Sequence, residues 1–227
     1  MTKFRIVAIS DTHMETPDLP KGDLLIHTGD WTYMGKLAKK TVYTSDILYL
    51  PKDEVGPNQK WIDSQKHKFR KIVCTSGNHD WGFDKDTFQG VIMLFDEEIT
   101  IEGLKIYGTP YVPRYGDWAF MESEERLAER YDKIPEGLDI LISHGPPYGI
   151  LDANKRGDRC GSKALLNKLK SMKSPPRYMF FGHIHRDSNS PHNPVFDGKT
   201  YFYNVSYNNE SYSPTNDIVE VDIEVLK

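Results

Sequence analysis

The sequence has very little cysteine and no long apolar run. Only Cys74 and Cys160 occur among 227 residues, too few for the disulfide framework of a small secreted protein. No segment approaches the roughly 20 consecutive apolar residues that a membrane-spanning helix needs, and the first residues lack the apolar stretch of a signal peptide. We therefore expect two free thiols, no membrane association and a cytoplasmic protein.

The sequence also lacks an excess of basic residues. Its 29 Lys and Arg against 33 Asp and Glu give a formal net charge of -4. Without an overall positive charge, a long nucleic acid duplex would not be held by release of its counterions. Hydrophobic residues make up 38% of the chain, as in an ordinary globular protein, and no linker-like change in composition divides it. We therefore predict one domain spanning residues 1–227.

Short apolar runs rich in branched and aromatic residues recur along the chain and predict strands. Helical stretches separate several of them, a pattern typical of an α/β protein with a parallel or mixed sheet. Near the C-terminus the Asp197-Gly198 pair is a hairpin signal, so adjacent antiparallel strands are expected there. The predicted strands are 4–9, 23–27, 71–75, 104–107, 138–142, 178–181, 200–205 and 218–225, the predicted helices are 59–70, 117–131 and 162–172, and 32–58 is expected to be a partly helical excursion.

Polar residues that commonly bind metals follow five of these strands directly. In open α/β sheets the carboxyl ends of the strands line the crevice where ligands bind, so the five segments are expected to converge. In extended chain, residues two apart project to the same side, which would pair Asp11 with His13 and His183 with His185. In chain order the side chains are Asp11, His13, Asp30, Asn78, His144, His183 and His185.

These seven side chains form a mixed set of carboxylates, imidazoles and one amide oxygen. Seven ligands are too many for one tetrahedral ion, but they suit two ions of five or six coordination that share a bridging carboxylate. Glycine precedes Asp30, Asn78 and His183, where it allows the backbone to turn sharply and approach the ions. The pattern therefore predicts a binuclear metal site.

Five sequence blocks occur in the order typical of the calcineurin-like metallophosphoesterase superfamily, which this chain resembles. The blocks are Asp11-Thr12-His13, Gly29-Asp30, Gly77-Asn78-His79-Asp80, His144 and Gly182-His183-Ile184-His185. Several of them would be ordinary turns in isolation, but the ordered set is specific. The resemblance implies an α/β sandwich of two mixed β-sheets flanked by helices.

Further segments are similar to the metallophosphoesterase-domain-containing subfamily, which is related to class III cyclic-nucleotide phosphodiesterases. Some animal members of that subfamily replace the first His of the Gly-His-x-His block by Gly, which weakens one metal site. This chain keeps His183, so impaired metal binding is not implied. The similar segments are 25–30, His144-Gly145-Pro146-Pro147, Arg159-Cys160-Gly161 and Ser213-Pro214-Thr215-Asn216.

The resemblance also implies a role for each matched residue. Asp30 would bridge two divalent ions, and a water shared between them would lose its proton near neutral pH and attack the phosphorus. One ion would be held by Asp11, His13 and His185, and the other by Asn78, His144 and His183.

His79 has no metal in this assignment and lies beside Asn78, where the leaving oxygen of the ester would be. We expect it to act as general acid or charge stabiliser, and to contact the substrate together with Asn78. Asp80 is a candidate orienting partner for His79, although neighbours in sequence need not face each other. Arg159, in a basic cluster with 155 and 156, is a candidate phosphate contact, with a solvated loop as the alternative.

The other histidines and three aromatic residues lie outside the five blocks. His27 is expected to be a hydrogen-bonded core residue, and His67 and His192 are expected to face solvent. Three aromatic residues could stack on a nucleobase, with ordinary packing as the alternative; they are Tyr111, Trp118 and Tyr148.

The resulting hypothesis is a metal-dependent phosphoesterase that hydrolyses a phosphodiester or phosphomonoester, with small nucleotide or aryl substrates expected from the resemblance. The alternatives are a nuclease acting on short single-stranded nucleic acid and a non-catalytic, protein-binding scaffold on the same fold. Manganese is the expected metal, while iron, zinc, cobalt, nickel or magnesium would suit the same ligands. The sequence leaves the natural substrate and the oligomeric state open.

Overall fold

Strands and helices alternate along the chain, as the sequence predicts. A computed structural model describes residues 2–40, 42–44, 47–49, 52–185 and 193–225. The strands are β1 (Thr2–Ile9), β2 (Leu24–His27), β3 (Val42–Thr44), β4 (Ile47–Tyr49), β5 (Lys71–Cys74), β6 (Ile92–Met93), β7 (Glu97–Ile101), β8 (Leu104–Thr109), β9 (Val112–Pro113), β10 (Met121–Glu122), β11 (Ile140–Ser143), β12 (Tyr178–Phe181), β13 (Val195–Phe196), β14 (Tyr201–Asn204) and β15 (Val219–Val225). The α-helices are α1 (Val55–Gln65), α2 (Glu124–Tyr131) and α3 (Lys163–Ser171), and 3-10 helices cover Gly35–Lys39 and Lys66–Lys68.

Two mixed sheets form the body of the fold. The first has the strand order β15-β1-β2-β5-β6, with β15 antiparallel to β1 and the other neighbours parallel. The second has the order β13-β14-β12-β11-β8-β7, with antiparallel pairs at both edges and parallel strands between them. Two-stranded ribbons are formed by β3 with β4 and by β9 with β10.

The two sheets pack face to face, and helices cover their outer faces. Alternate residues of β1 show this arrangement, because successive strand residues point to opposite faces. Ile6 belongs to the core between the sheets with Ile140 of the second sheet, whereas Val7 belongs to an outer core with Ile62 of α1. Helices α2 and α3 close a third core on the outer face of the second sheet. The architecture is the expected one of two mixed sheets flanked by helices.

All eight predicted strands are confirmed, with ends that differ by at most two residues. The hairpin at Asp197-Gly198 is also confirmed, since β13 and β14 are antiparallel on either side of it. The expectation of adjacent antiparallel strands fails beyond that hairpin. β14 pairs parallel with β12, and β15 crosses to the edge of the first sheet.

Two of the three predicted helices have wrong boundaries. Helix α1 begins at Val55 rather than 59, because Pro57 falls in the first turn, where its missing N–H is not needed. Residues 117–123 are not helical, since Met121 and Glu122 pair with β9 and Ser123 caps α2 by accepting a hydrogen bond from the Arg126 N–H. Helix α3 is confirmed within one residue at each end.

The two cysteines and one of the remaining histidines are placed as the sequence predicts. Cys74 and Cys160 are both free thiols, and His67 is exposed, as expected. His192 lies outside the described residues. Across the described ranges, the helices are all too short or too polar to cross a membrane.

Candidate metal centre

The carboxyl ends of strands from both sheets meet at one edge of the sandwich. Three strands of the first sheet, β1, β2 and β5, lead into Asp11, Asp30 and Asn78, and β11 and β12 of the second sheet lead into His144 and His183. The two sheets are joined there by a parallel bridge between residues 10 and 206. The seven predicted ligand side chains therefore lie together, and each is buried or nearly so.

Left-handed turns, rather than extended chain, bring the paired ligands together. Asp11, His13, Asp30 and His183 have φ values of 52°, 43°, 55° and 67°, a region that non-glycine residues adopt at some energetic cost. The expectation that Asp11 and His13 project from an extended segment is therefore wrong. The turn tightens the chain immediately after β1, so both side chains face the same point.

Two glycines allow the ligand loops to approach one another. A Cβ on Gly182 would lie 1.9 Å from Asp11 Oδ2, and a Cβ on Gly77 would lie 2.3 Å from Asp30 Oδ1 and 2.6 Å from His144 Nε2. No side chain fits at either position without displacing a ligand.

The ligand atoms fall into groups that could each hold a cation. One group is Asp11, His13 and His185, and another is Asp30, His144 and His183; within each group the ligand atoms lie within 4.8 Å of one another. The Asp30 carboxylate stands between the groups, with Oδ2 3.3 Å from His144 Nε2 and 3.8 Å from His13 Nε2. The Oδ1 atom of Asn78 lies 3.0 Å from His144 Nε2, which adds a neutral oxygen to the second group.

Backbone carbonyls fix the orientation of three of these imidazoles. The Nδ1 atoms of His13, His144 and His185 each lie 3.0 Å from a carbonyl oxygen, of Thr32, Thr28 and Asn209 respectively. Because a carbonyl can only accept, Nδ1 must carry the hydrogen, and the neutral ring then presents the Nε2 lone pair to the site.

Burial and the neighbouring carboxylates shift the pKa values of the four ligand imidazoles in opposite directions. Burial alone would lower the pKa of His144, but the Asp30 carboxylate raises it to about 9. Burial likewise opposes a charge on His185, and Asp11 raises the pKa of that imidazole. His13 and His183, by contrast, have their pKa lowered to about 3 by burial.

The donor set fits divalent cations. The Nε2 atoms of His13 and His185 are 3.2 Å apart, and Asp11 Oδ1 lies 3.3 Å from His185 Nε2. In neutral rings these three atoms are all electron-pair donors, so they need a cation or a proton between them. Mixed imidazole and carboxylate ligands suit Mn, Fe, Zn or a related divalent ion.

His79 lies at the rim of the same site and is oriented by Tyr33. Its Nδ1 is 2.9 Å from the Tyr33 carbonyl oxygen, and its backbone N–H donates to Asp30 Oδ1 at 2.8 Å. Its ring stands edge-on to His13, and His13, Asp30 and His79 form a third group of close ligand atoms. The ring nitrogen left for chemistry is therefore Nε2.

The suggested pairing of Asp80 with His79 is wrong. The Asp80 carboxylate is fully buried and accepts from the N–H groups of Asp30, Trp31, Thr32 and Gly77 and from the Thr32 hydroxyl, at 2.9 to 3.1 Å. It ties the Asp30 loop to the Asn78 loop. Both of its oxygens are occupied by these five donors, and His79 Nδ1 contacts the Tyr33 carbonyl oxygen instead.

Residues after β14 complete the site and were missed by the sequence analysis. The Ser206 hydroxyl donates to Asp11 Oδ2 at 3.0 Å, and Asn208 Nδ2 donates to the carbonyl oxygens of Asp11 and Thr12 at 2.9 and 3.0 Å. The available signal was the one used for the other strands, since apolar β14 also runs into a polar segment.

Two tyrosines at the mouth of the site were also missed. Asn78 Nδ2 donates to the Tyr115 hydroxyl at 3.3 Å, which directs the amide oxygen of Asn78 toward His144. The Tyr212 ring lies 4.8 Å from that of His13 and 5.0 Å from that of His185. Both tyrosines lie in loops without a period or motif, so sequence alone gave no signal for them.

A cavity of about 320 Å³ opens over the metal ligands and is lined by Lys155 and Arg156 as well as His79. Arg159 lines a neighbouring cavity and pairs with buried Asp152 at 2.7 Å, so part of its charge is already balanced.

Two of the three aromatic candidates lie beside the site or its neighbouring cavity, and the third packs elsewhere. Trp118 lies 4.5 Å from the His79 ring and Tyr148 lines the neighbouring cavity, while Tyr111 packs beneath the Arg130 guanidinium. His27 is a buried core residue, as expected, with both ring nitrogens within 3.2 Å of hydrogen-bond partners.

Comparison with known proteins agrees with this geometry. The family model for calcineurin-like phosphoesterases matches residues 4–187. Metallophosphoesterase domain-containing protein 1 of Homo sapiens is 32% identical over 252 aligned positions, covering 96% of this chain and 71% of the human protein, and its Mus musculus counterpart gives the same figures. UPF0046 protein K07C11.7 of Caenorhabditis elegans is 31% identical and covers 91% of this chain and 71% of its own length. The chain therefore belongs to the calcineurin-like phosphoesterase family.

Proposed function

We propose that this protein hydrolyses a phosphodiester, or a phosphomonoester, at a centre of two divalent cations, with a small nucleotide or aryl compound as substrate. The observation that carries the proposal is the convergence of two ligand groups on either side of the Asp30 carboxylate. Asp11, His13 and His185 would hold one cation, Asn78, His144 and His183 the other, and Asp30 would contact both. Bound there, the cations would lower the pKa of a water molecule and neutralise the oxygens of the phosphate.

The residues of the chain supply orientation and a proton. Carbonyl groups hold the ligand imidazoles with Nε2 inward, so little reorganisation is needed when phosphate enters. His79 is held through Nδ1–H by the Tyr33 carbonyl oxygen, so in its imidazolium form the ring carries a second proton at Nε2, which it would give to the departing ester oxygen. Lys155 and Arg156 line the same cavity as Glu210, so these three residues together add one net positive charge near the phosphate. Arg159 would contact the substrate from the adjoining cavity.

Turnover of bis(p-nitrophenyl) phosphate, with and without manganese, tests the proposal. We expect release of p-nitrophenolate that a chelator stops and that added manganese restores, with about two metal equivalents bound per chain. Other divalent ions in the same assay would identify the metal. A folded, metal-loaded protein without turnover would support the scaffold alternative instead.

His79→Ala isolates the proposed general acid. We expect a loss of about 10²–10⁴ in kcat, with the larger loss on phenyl than on p-nitrophenyl esters, since phenolate leaves poorly without a proton. His67→Ala is the matched control, because His67 is exposed on a short 3-10 helix. Equal losses on both esters would remove the acid role from His79.

A comparison of two substrates distinguishes the proposed function from the nuclease alternative. A cyclic nucleotide and a short single-stranded oligonucleotide can be compared at equal phosphodiester concentration, and we expect faster turnover of the cyclic nucleotide. A location in the cytoplasm also stays a prediction from the sequence, which cell fractionation would check.

A further inference from the structure

A second cavity adjoins the one above the metal ligands. Its volume is about 910 Å³, against about 320 Å³ for the first. The two share four lining residues, Tyr115, Asn154, His183 and Ile184. A group attached to a phosphate over the metal ligands could therefore extend past His183 into the larger space.

The walls of the second cavity combine aromatic rings with cations. Tyr115 and Tyr148 supply the rings, and Arg114, Arg159 and Lys163 supply the charges. Lys163 Nζ lies 5.3 Å from the centre of the Tyr148 ring. Within the described part of the chain, Lys163 forms no ion pair, whereas Arg114 donates from Nη2 to the Met121 carbonyl oxygen at 3.1 Å. Lys163 is therefore the cation most available to a ligand.

The two carboxylates of this cavity balance part of that charge. Glu124 accepts from the Ser162 hydroxyl and from the N–H groups of Lys163 and Ala164 at 2.8 to 3.0 Å, and so caps the N-terminus of α3. Asp158 accepts from Asn154 Nδ2 at 3.2 Å. The three cations of the lining exceed its two carboxylates by one, and Arg159 is paired with Asp152. The charge left for an anion therefore lies at Lys163 and Arg114, and the tyrosines favour a planar ring next to it.

The position of His79 decides which part of a substrate would lie here. His79 lines the first cavity but not the second, so the leaving alcohol, which takes the proton of His79, belongs on the His79 side. The other ester substituent of a diester would point past His183 and Tyr115.

We propose that the second cavity binds the alcohol that stays on phosphorus, and that it selects an aromatic alcohol carrying a second anionic group. This inference rests on the proposed function. In the reaction, the oxygen of water bonds to phosphorus while the bond to the leaving oxygen breaks. The leaving oxygen gains a proton from the His79 imidazolium, the water proton passes to solvent, and the now neutral His79 takes a proton back from solvent. The retained alcohol remains esterified in the monoester product. A diester of two separate alcohols fills both cavities and a monoester only one, so the second cavity favours a diester.

Two diesters with one common leaving group test this assignment. Both carry p-nitrophenol as the leaving group, and the retained group is 4-(2-carboxyethyl)phenol in one and the corresponding carboxamide in the other. The manganese-loaded wild-type protein should release p-nitrophenolate from the acid with a kcat/KM about fivefold above that for the amide, the effect of about 1 kcal/mol from partly exposed charges.

Lys163→Gln should bring this ratio close to one, whereas Lys170→Gln, on the same helix and outside both cavities, should leave it unchanged. Calorimetric titration with the two free phenols supplies a readout independent of turnover, and the acid should bind about fivefold more tightly than the amide. Equal rates for both diesters, or equal binding of both phenols, would overturn the second cavity as an anion site while phosphoesterase activity stands. No release from either diester would overturn the proposed function, and with it the assignment of the retained alcohol.

Discussion

Asp80→Asn tests the claim that this carboxylate holds two ligand loops together. Oδ2 accepts from the N–H groups of Asp30 and Gly77, and Oδ1 accepts from the N–H groups of Trp31 and Thr32 and from the Thr32 hydroxyl. Burial and the charge of Asp30 raise the pKa of Asp80 to about 8, a rise that its hydrogen-bond donors reduce. Because all five contacts are donors, the site accommodates the ionised form.

The expected fall in the free energy of unfolding depends on how many donors lose their acceptor. An asparagine amide places an NH₂ group where one oxygen stood, so in either orientation two backbone N–H groups lose their partner. A buried unsatisfied donor costs about 1–3 kcal/mol, so the free energy of unfolding should fall by about 2–6 kcal/mol. That is a large share of the roughly 5–15 kcal/mol that stabilises a typical domain. Affinity for manganese should fall as well, since the released loops carry Asp30 and Asn78.

Urea unfolding with chelator, followed by manganese titration, measures both effects. Asp63→Asn is the matched control, because Asp63 is half-exposed in a surface pair with Lys66 and should change stability by at most about 1 kcal/mol. A variant as stable as the wild type would refute the reasoning. Full stability with lost turnover would instead return Asp80 to a role beside His79.

Two further predictions use the same measurements. Gly77→Ala should lower manganese affinity by about 10- to 100-fold, since its Cβ would meet Asp30 and His144, while Gly90→Ala, which has open space around it, should not. Unchanged affinity in Gly77→Ala would place the metals elsewhere. Burial lowers the pKa of His27 to about 3, below its unfolded value of about 6.5. Because the folded protein keeps this imidazole neutral, the contribution of His27 to the free energy of unfolding is complete above pH 6.5 and is lost as the pH falls toward 3. In chelator, the wild type should therefore lose about 2 kcal/mol more than His27→Phe between pH 6.5 and 5, measured by urea unfolding, and equal slopes would contradict this.

The sequence alone determined the strands and the order of the ligand residues. Apolar runs such as 4–9 and 178–181 must be buried, and a polar residue directly after such a run must stand at a sheet edge, so the clusters around Asp11 and His183 could be located without a structure. The short strands at the sheet edges were not predicted, because a segment of two to five residues with mixed polarity is too short to show a hydrophobic periodicity.

The tertiary structure decided everything that depends on residues far apart in sequence. The Tyr33 carbonyl, rather than Asp80, orients His79, and Asn208 holds the Asp11 loop from 197 residues away. Lys163 and Arg114 reach one cavity from separate segments. Local sequence fixes which groups a segment offers, but partners are set by how two sheets pack, and packing depends on the whole chain.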